Sequence, residues 1–327
     1  MLLEKIRNDR NLKVMISLLL MVILILGIAG LITPRLLQPS HLIELVRQSV
    51  PLGITAMGQS AVILSGGIDL SVGSIVTMTN ILAADMIRGR DSRTLPVILF
   101  LLALGILIGG TSGFLIAKTG IPPMVMTFAM SSIVRGGYLL YSGGAPGGRA
   151  SPLLRFFGTG RLGPIPVSVI IFIILGILVV FWFKKVRTGR SIYYLGNNFQ
   201  AARYAGVPVQ RRLVFTYAFS AAMAVLSGLI FSGYIGVGSF EVGGEAFMLN
   251  SVASAVIGGN TFLGIGNMAG AIPGAFIITL INSILRSLGI AVTGQHIMQG
   301  VIILVMVVLY SGQVGFTREK KVKKAGG

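Results

Sequence analysis

Apolar stretches long enough to cross a lipid bilayer recur along the chain, and they restrict its fold more than any other feature. A helix needs about 20 apolar residues to cross the hydrocarbon core, and in lipid its backbone polar groups must be paired within the protein. Ten stretches approach that length, of which the eighth is short enough to be re-entrant. They lie near residues 14–32, 43–64, 68–87, 95–117, 121–141, 165–183, 212–236, 246–259, 268–289 and 296–312. The sequence therefore predicts an all-α polytopic membrane protein with about ten transmembrane helices.

The composition argues against several other classes of function. The formal charge of +18 does not indicate nucleic-acid binding, because a basic nucleic-acid domain does not carry so many apolar stretches. The chain has no cysteine and two histidines, so it lacks the ligands for a Cys- or His-rich metal site, and no cofactor is expected. It also lacks a motif of paired acids for general acid and base catalysis, which makes an enzyme the weakest interpretation.

Three basic segments set the orientation, because lysine and arginine near the ends of spans are retained in the cytoplasm. They are residues 1–13, 184–212 and 313–327. All three are cytoplasmic if six spans precede the middle segment and the total is even, and ten spans satisfy both conditions. We therefore expect a cytoplasmic N-terminus (1–13), a transmembrane domain (14–312) and a basic cytoplasmic tail (313–327).

Glycines at four-residue spacing predict close helix packing. They are Gly105, Gly109 and Gly113 in the fourth span, and Gly266, Gly270 and Gly274 entering the ninth. Glycine lets helix backbones approach where lipid supplies no hydrophobic drive.

Two glycine-rich stretches resemble each other and divide the chain into halves. AVILSGGIDLSVGS (61–74) and AVIGGNTFLGIGN (255–267) share an apolar run, paired glycines and a second glycine-containing turn. Transporters often consist of repeated halves, so two five-span halves are one interpretation. The alternative is that glycine-rich breaks between spans are alike in any membrane protein.

A carboxylate lies at the first of these breaks. Gly66 and Gly67 separate the second and third spans, and Asp69 or Ser71 is placed to cap the first free N–H groups of the third helix. The alternative is a hinge or gate at the inner mouth of a translocation path. Other polar groups within spans either face such a path or join helices by hydrogen bonds. The path candidates are Asn80, Asp85, Arg135, Asn250 and Asn282.

The middle basic segment contains a short predicted helix. Asn198 is a good N-cap for a helix of two turns at most, Gly206 is a stop signal, and Pro208 prevents continuation. So short a helix needs tertiary support. It is either a docking element for a cytoplasmic protein or a linker lying on the lipid headgroups.

Four motifs together resemble the ribose-type sugar permease subunits of bacterial ATP-binding-cassette importers, the binding-protein-dependent transport inner-membrane component family. They are GGIDLSVGS, PPMVMTFAMSSIVRGG (122–137), TGRSIYYLGNNFQAARYAGVPVQR and AVIGGNTFLGIGNMAGAIPGA (255–275). The resemblance runs from about Leu36 to Ser311. Gln200 stands where the family has glutamate, and residues 247–250 read Phe-Met-Leu-Asn where the family has Tyr-Glu-Leu-Asp.

The resemblance implies an importer permease in the bacterial inner membrane, with both termini cytoplasmic. The implied partners are two ATP-binding-cassette ATPase domains, an extracytoplasmic substrate-binding protein, and a second permease copy or paralogue. It implies a coupling segment at residues 188–212 of the transmembrane domain. Within it lies a coupling helix between spans six and seven, formed by Asn198, Phe199, Gln200, Ala201, Ala202, Arg203, Tyr204, Ala205 and Gly206. No G-x-x-x-x-G-K-[ST] motif occurs, so ATP hydrolysis is assigned to the partner.

Docking of a binding protein on the outer side of the membrane would explain six arginines in the outer connections. Arg88, Arg90, Arg93, Arg149, Arg155 and Arg161 lie in the two basic connections that the orientation places outside. They are candidates to pair with carboxylates of the binding protein. The alternative is that they reach the phosphate headgroups of the membrane.

Two other transporters compete with this interpretation. In an ion-coupled secondary carrier, Asp69 or Asp85 binds H⁺ or Na⁺, but the basic segment 184–212 is then left without a purpose. A branched-chain amino-acid permease shares the general architecture, although GGIDLSVGS favours the sugar type. Pentose, hexose, nucleoside and furanose-like substrates all stay open.

Overall fold

The computed structural model describes residues 10–291 together with residues 294, 295, 297, 300 and 301. Over these residues the protein is almost entirely helical. The helices are α1 (Arg10–Ile32), α2 (Pro39–Leu64), α3 (Val72–Ile87), α4 (Asp91–Thr119), α5 (Pro123–Ser142), α6 (Pro152–Thr159), α7 (Val167–Lys185), α8 (Arg187–Asn197), α9 (Phe199–Tyr204), α10 (Val209–Ile235), α11 (Gly244–Ile257) and α12 (Ala271–Ser287). Two short 3-10 helices, Pro34–Leu37 and Met268–Gly270, precede α2 and α12. An antiparallel pair of two-residue strands, β1 (Arg161–Leu162) and β2 (Ile165–Pro166), precedes α7.

Nine predicted spans coincide with helices, namely α1 to α5, α7 and α10 to α12. The tenth, 296–312, lies almost entirely outside the described residues, as do the tail 313–327 and residues 1–9. Five described segments are long and apolar enough to cross a membrane: Leu12–Leu31, Asp91–Thr119, Val167–Lys185, Val209–Ile235 and Met268–Ser287. The prediction of an all-α polytopic membrane protein is thereby confirmed.

Helices α2 and α10 form the centre of the bundle. Every residue of α2 from Ser49 to Leu64 is buried. Helix α10 packs against α2, α3 and α4, and Tyr217 on α10 is completely buried. Exposed apolar side chains lie instead on the outer helices, where lipid covers them, as on α1 and α7.

The predicted glycine seams are present. A side chain at Gly109 would meet the backbone of Tyr217, and one at Gly113 would come within 2.8 Å of the Val214 Cα atom, so α4 lies directly on α10. In the second seam, Gly274 lies against the Ser254 carbonyl group, which brings α12 onto α11. Both seams allow the backbone contact that larger residues exclude.

The connections between helices fall at two opposite ends of the bundle. At one end, Gly196 lies against Leu64 and Gly264, and Gly67 against Pro123. At the other end, Gly89 donates a backbone hydrogen bond to Arg149 (2.8 Å), and Ala150 donates one to Gly236 (2.9 Å). We call these the coupling end and the arginine end, after the segments they carry.

The segment between α10 and α11 runs back into the bundle along α3. Asn80 donates to the Val237 carbonyl oxygen (3.2 Å), Thr77 donates to that of Val242 (2.6 Å), and Gly244 lies against Gly73 near the start of α3. We call residues 236–243 the dipping segment. Helix α11 therefore starts deep in the bundle and has 14 residues, about 21 Å at 1.5 Å per residue. This explains why the eighth apolar stretch is short.

Two further helices were not predicted from the sequence. The connection between the fifth and sixth predicted spans contains α6, which starts at a Ser151 cap whose hydroxyl accepts from the Leu154 N–H at 3.2 Å. The middle basic segment contains α8, which buries Ile192 and Leu195 and exposes Tyr194. The prediction missed α8 because its buried face is only a few residues wide.

Candidate translocation and coupling sites

Asp69 is buried at the coupling end, in the break between α2 and α3. Its carboxylate is 1% exposed, and Oδ1 accepts from the Ser71 backbone N–H (2.9 Å) and the Ser71 hydroxyl (2.6 Å). The Ser71 side chain itself caps no N–H group. Asp69 therefore fixes the turn just before Val72, where α3 begins, and it does not cap the first turn directly.

The surroundings of Asp69 join three helices. Turned to its favourable orientation, the Gln59 amide of α2 donates to the Asp69 carbonyl oxygen and accepts from its N–H group, both at 3.2 Å. The Tyr217 hydroxyl of α10 lies against Gly67. Thr127 of α5 donates to the Ile68 carbonyl oxygen at 3.1 Å. The break is thus held by contacts from three separate helices.

Two of the predicted path residues have structural contacts. Asn80 holds the dipping segment from both sides, because its Oδ1 atom also accepts from the Ser239 N–H at 2.7 Å. Asp85 accepts from the Tyr141 hydroxyl (2.5 Å) and pairs with Arg88 (3.0 Å) at the arginine end.

Arg135 forms a charged pair on an exposed face of the bundle. It lies 3.6 Å from Glu245, and the two side chains are 62% and 85% exposed. Arg135 belongs to α5 and Glu245 to the first turn of α11, which begins deep in the bundle. Charged groups at such a level are costly in lipid and normally face water or a partner. This face is therefore poorly suited to direct contact with lipid.

Asn250 and Asn282 come together in a different place. Both line a cavity of about 690 Å³ between α2, α10, α11 and α12, near the arginine end. Its polar lining also includes Arg47 and Gln48 of α2. The five predicted path residues therefore lie in four places: Asn250 and Asn282 line the cavity, Asn80 holds the dipping segment, Arg135 lies on the α5 face, and Asp85 lies at the arginine end.

The coupling segment matches its predicted local structure. Asn198 Oδ1 accepts from the Ala201 N–H at 2.9 Å, α9 spans Phe199–Tyr204, and Gly206 has the left-handed φ of +77°. The α9 aromatic side chains point away from the bundle, with Phe199 44% and Tyr204 88% exposed. Gln200 and Arg203 are also exposed. This end of the protein thus presents a short, capped helix with two uncovered aromatic rings.

The opposite face of α9 connects to the break at Asp69. Ala202 is buried in an apolar cluster with Val62 of α2 and Leu213 and Tyr217 of α10. The neighbouring helix α8 is also anchored inward, since it buries Ile192 and Leu195, and burial raises the pKa of its Tyr193 phenol to about 12. A contiguous set of packed side chains therefore leads from α9 to the Tyr217 hydroxyl above Gly67.

Three of the six outer arginines share one hollow. Arg88, Arg149 and Arg155 line a depression of about 710 Å³ at the arginine end. Arg90, Arg93 and Arg161 lie outside its lining. The sequence order alone did not distinguish these two groups, because the hollow depends on the backbone contact between Gly89 and Arg149.

The fold and these sites define a helical polytopic membrane protein that buries polar groups between its helices and exposes a short, capped helix at one end. The sequence matches, over residues 41–309, the family described as branched-chain amino acid transport system / permease component. The chain belongs to this family of permease components. Among solved structures, none matches the chain significantly.

Curated relatives place the chain near the sugar permeases. The ribose import permease protein RbsC of Haemophilus influenzae is 32% identical over 293 residues, covering 87% of this chain and 89% of the relative. RbsC of Bacillus subtilis is 31% identical, covering 86% and 88%. The D-allose transport system permease protein AlsC of Escherichia coli K12 is 31% identical, covering 88% of each. The predicted resemblance to ribose-type importer permeases is confirmed, and the chain is a transporter component rather than an enzyme.

Proposed function

We propose that this permease forms the translocation path for a sugar or sugar-like solute that an extracytoplasmic binding protein delivers and that two ATPase domains drive. The ribose and allose permeases among its relatives support the sugar class. The observation that carries the proposal is α9, a capped helix with two exposed aromatic rings whose buried face packs toward the break at Asp69. An ion-coupled carrier has no use for such an element.

We assign residues 198–206 to contact with the ATPase. In this proposal the ATPase cleft holds Phe199 and Tyr204, and its closure shifts Ala202 against Tyr217. The shift reaches the break that holds Gly67 and Asp69, which acts as the inner gate. The direct contacts of Tyr217 with Gly67 and of Ala202 with the Tyr217 cluster support this route. The coupling end is then cytoplasmic and the arginine end extracytoplasmic.

A second permease copy covers the α5 face in this proposal. The exposed Arg135–Glu245 pair requires water or protein on this face, and two copies facing each other across a polar gap provide both. The full chain then has ten spans in two five-span halves, with both termini in the cytoplasm of a bacterial inner-membrane protein. Both glycine-rich breaks hydrogen-bond to neighbouring residues of α2: Asp69 bonds to Gln59, and Asn260 donates to Ser60 (3.0 Å). These similar contacts support the division of the chain into two repeated halves.

The coupling proposal is tested by co-purification. Tyr204→Ala removes the most exposed ring of α9 without disturbing its buried face, so the ATPase subunit should be lost from the purified complex. Tyr194→Ala is the matched control, because Tyr194 is 57% exposed on α8, just before α9. Equal recovery of the ATPase with both variants contradicts the assignment.

The docking proposal is tested at the arginine end. Charge reversal of Arg149 and Arg155 should weaken binding of the substrate-binding protein, and the loss should shrink as salt rises. Reversal of Arg90 and Arg93, which lie outside the hollow, is the control. Unchanged affinity of the Arg149 and Arg155 variant at low salt contradicts docking in the hollow.

A further inference from the structure

An apolar groove of about 360 Å³ lies between α4 and α7. Three residues of α10 and Ile54 of α2 form its floor, and Ile98 of α4 and four residues of α7 form its sides. Helix α6, which packs against α4, α7 and α10, closes it at the arginine end. The groove opens outward, since Ile174 and Leu178 on its rim are 54% and 60% exposed. All of its lining residues in the described part of the chain are isoleucine, leucine or phenylalanine.

The groove lies at the level of the membrane. Three of its helices, α4, α7 and α10, are long and apolar enough to cross a bilayer. On α7 the lining residues Ile171, Ile174, Leu175 and Leu178 repeat at three- and four-residue spacing and so form one stripe along the helix. From Val167, where α7 begins, to Leu178 the helix rises about 16 Å, roughly half of a hydrocarbon core about 30 Å thick. The groove therefore spans one leaflet, the one at the arginine end.

The size and chemistry of the groove decide what fits it. A further helix is about 10 Å across and occupies roughly 800 Å³ over the 10 Å of the α7 stripe, which is more than twice the volume of the groove. An extended peptide would leave its backbone polar groups unpaired against an apolar lining. A polar solute would lose its hydrogen bonds to water without replacement. A lipid acyl chain is apolar, narrower than a helix and present at this level.

The closed end of the groove carries a positive charge. Arg161 lies between α6 and α7, in the hairpin that leads directly into α7, and its side chain is exposed. It has no ion pair among the described residues. Arginine is well suited to bind phosphate. The apolar groove and this arginine therefore follow each other in the order of the acyl chain and the phosphate of a phospholipid.

We infer that the groove binds one acyl chain of a phospholipid from the leaflet at the arginine end, with the phosphate group at Arg161. The bound chain fills the space between α4 and α7 and rests on α10. Ile230 of α10 lines both this groove and the cavity of about 690 Å³ that Asn250 lines, so the lipid supports one wall of that cavity. The site requires neither the ATPase nor the binding protein, and it goes beyond the proposed transport function.

Two neighbouring isoleucines of α7 provide matched variants. Ile174 lines the groove and Ile173 does not, although their side chains are 54% and 53% exposed. Ile174→Trp enlarges a side chain in the groove and competes with the acyl chain, whereas Ile173→Trp places the same ring outside it. The full chain is purified in detergent, depleted of lipid and titrated with palmitoyl-oleoyl phosphatidylglycerol, and bound lipid is counted by native mass spectrometry. Ile174→Trp should bind one lipid at least about tenfold more weakly than the parent and Ile173→Trp do.

Thermal unfolding shows whether the variants are folded. Because a ligand of the folded state raises Tm, phosphatidylglycerol should raise the Tm of the parent and of Ile173→Trp much more than that of Ile174→Trp. Leu178→Trp and Ile177→Trp, at positions 60% and 64% exposed, are a second pair with the same expectation should Ile174→Trp fail to fold.

The headgroup is tested with diacylglycerol of the same chains, which should bind more weakly than phosphatidylglycerol, and Arg161→Ala should remove the difference. Equal lipid binding by the groove variants and their controls overturns the site. Equal binding of phosphatidylglycerol and diacylglycerol to the parent overturns the phospholipid assignment. A changed number of chains per complex in Ile174→Trp, with lipid binding unchanged, would show that a protein partner covers the groove instead.

Discussion

The role of Asp69 can be decided by comparing two substitutions. Asp69→Ala leaves the Ser71 N–H and hydroxyl, now bonded to Oδ1 at 2.9 and 2.6 Å, without their buried acceptor. Each unsatisfied buried donor costs about 1–3 kcal/mol. Asp69→Asn keeps an oxygen in the same position, so it should cost much less.

The expected change in thermal stability follows from the size of the chain. An unfolding entropy of about 2.1 cal/mol/K per residue over 327 residues converts 1 kcal/mol into roughly 1.5 °C. With two such donors, we therefore expect Asp69→Ala to lower Tm by about 3–9 °C, measured by a thermal shift assay in detergent, and Asp69→Asn to remain near the parent.

Uptake measurements then distinguish a role of Asp69 in holding the turn from a role as part of the gate. If Asp69 serves only the turn, Asp69→Asn should transport normally. Normal stability with lost uptake in Asp69→Asn would instead show that the carboxylate itself is needed at the inner gate. An Asp69→Ala protein with the parental Tm refutes the hydrogen-bond reasoning altogether.

Two further substitutions test the packing that positions the sites. Gly109→Leu should destabilise the protein by about 1–3 kcal/mol and so lower Tm, because its side chain meets the Tyr217 backbone. Gly110→Leu is the control, because no atom of another helix lies within 4 Å of a side chain there, and it should leave Tm unchanged. Equal Tm values for the two variants would contradict the seam. Asn80→Ala removes the bonds to Val237 and Ser239, so limited proteolysis should cut the dipping segment faster than in the parent; unchanged cleavage contradicts this anchoring role.

Periodicity and turn chemistry predicted much of the fold. The short helix at Phe199–Tyr204 was predicted because its signals are local: an Asn198 cap and a Gly206 stop. The seam at Gly109 was predictable because spacing alone places these glycines on one helix face.

The candidate sites depended more on long-range contacts. The sequence around Asn250 does not show that this residue shares a cavity with Ser168, because only the folded bundle brings α11 and α7 to the same cavity. Nor does the sequence around Arg135 show that its side chain is exposed. The dipping segment was missed for the same reason: residues 236–243 are held in the bundle by Thr77 and Asn80, more than 150 positions away in the chain. The ion pair between Glu245 and Arg135 could not be predicted either, because it forms only when the dipping segment places the start of α11 beside α5.

Energised uptake is the most direct test of the account. The chain is reconstituted in proteoliposomes with its ATPase subunit and binding protein, and uptake is measured for the ligand that the binding protein selects from a screen including D-ribose and D-allose. We predict uptake that requires ATP on the cytoplasmic side and is absent with an H⁺ or Na⁺ gradient alone. Uptake driven by an ion gradient without ATP would contradict the importer mechanism.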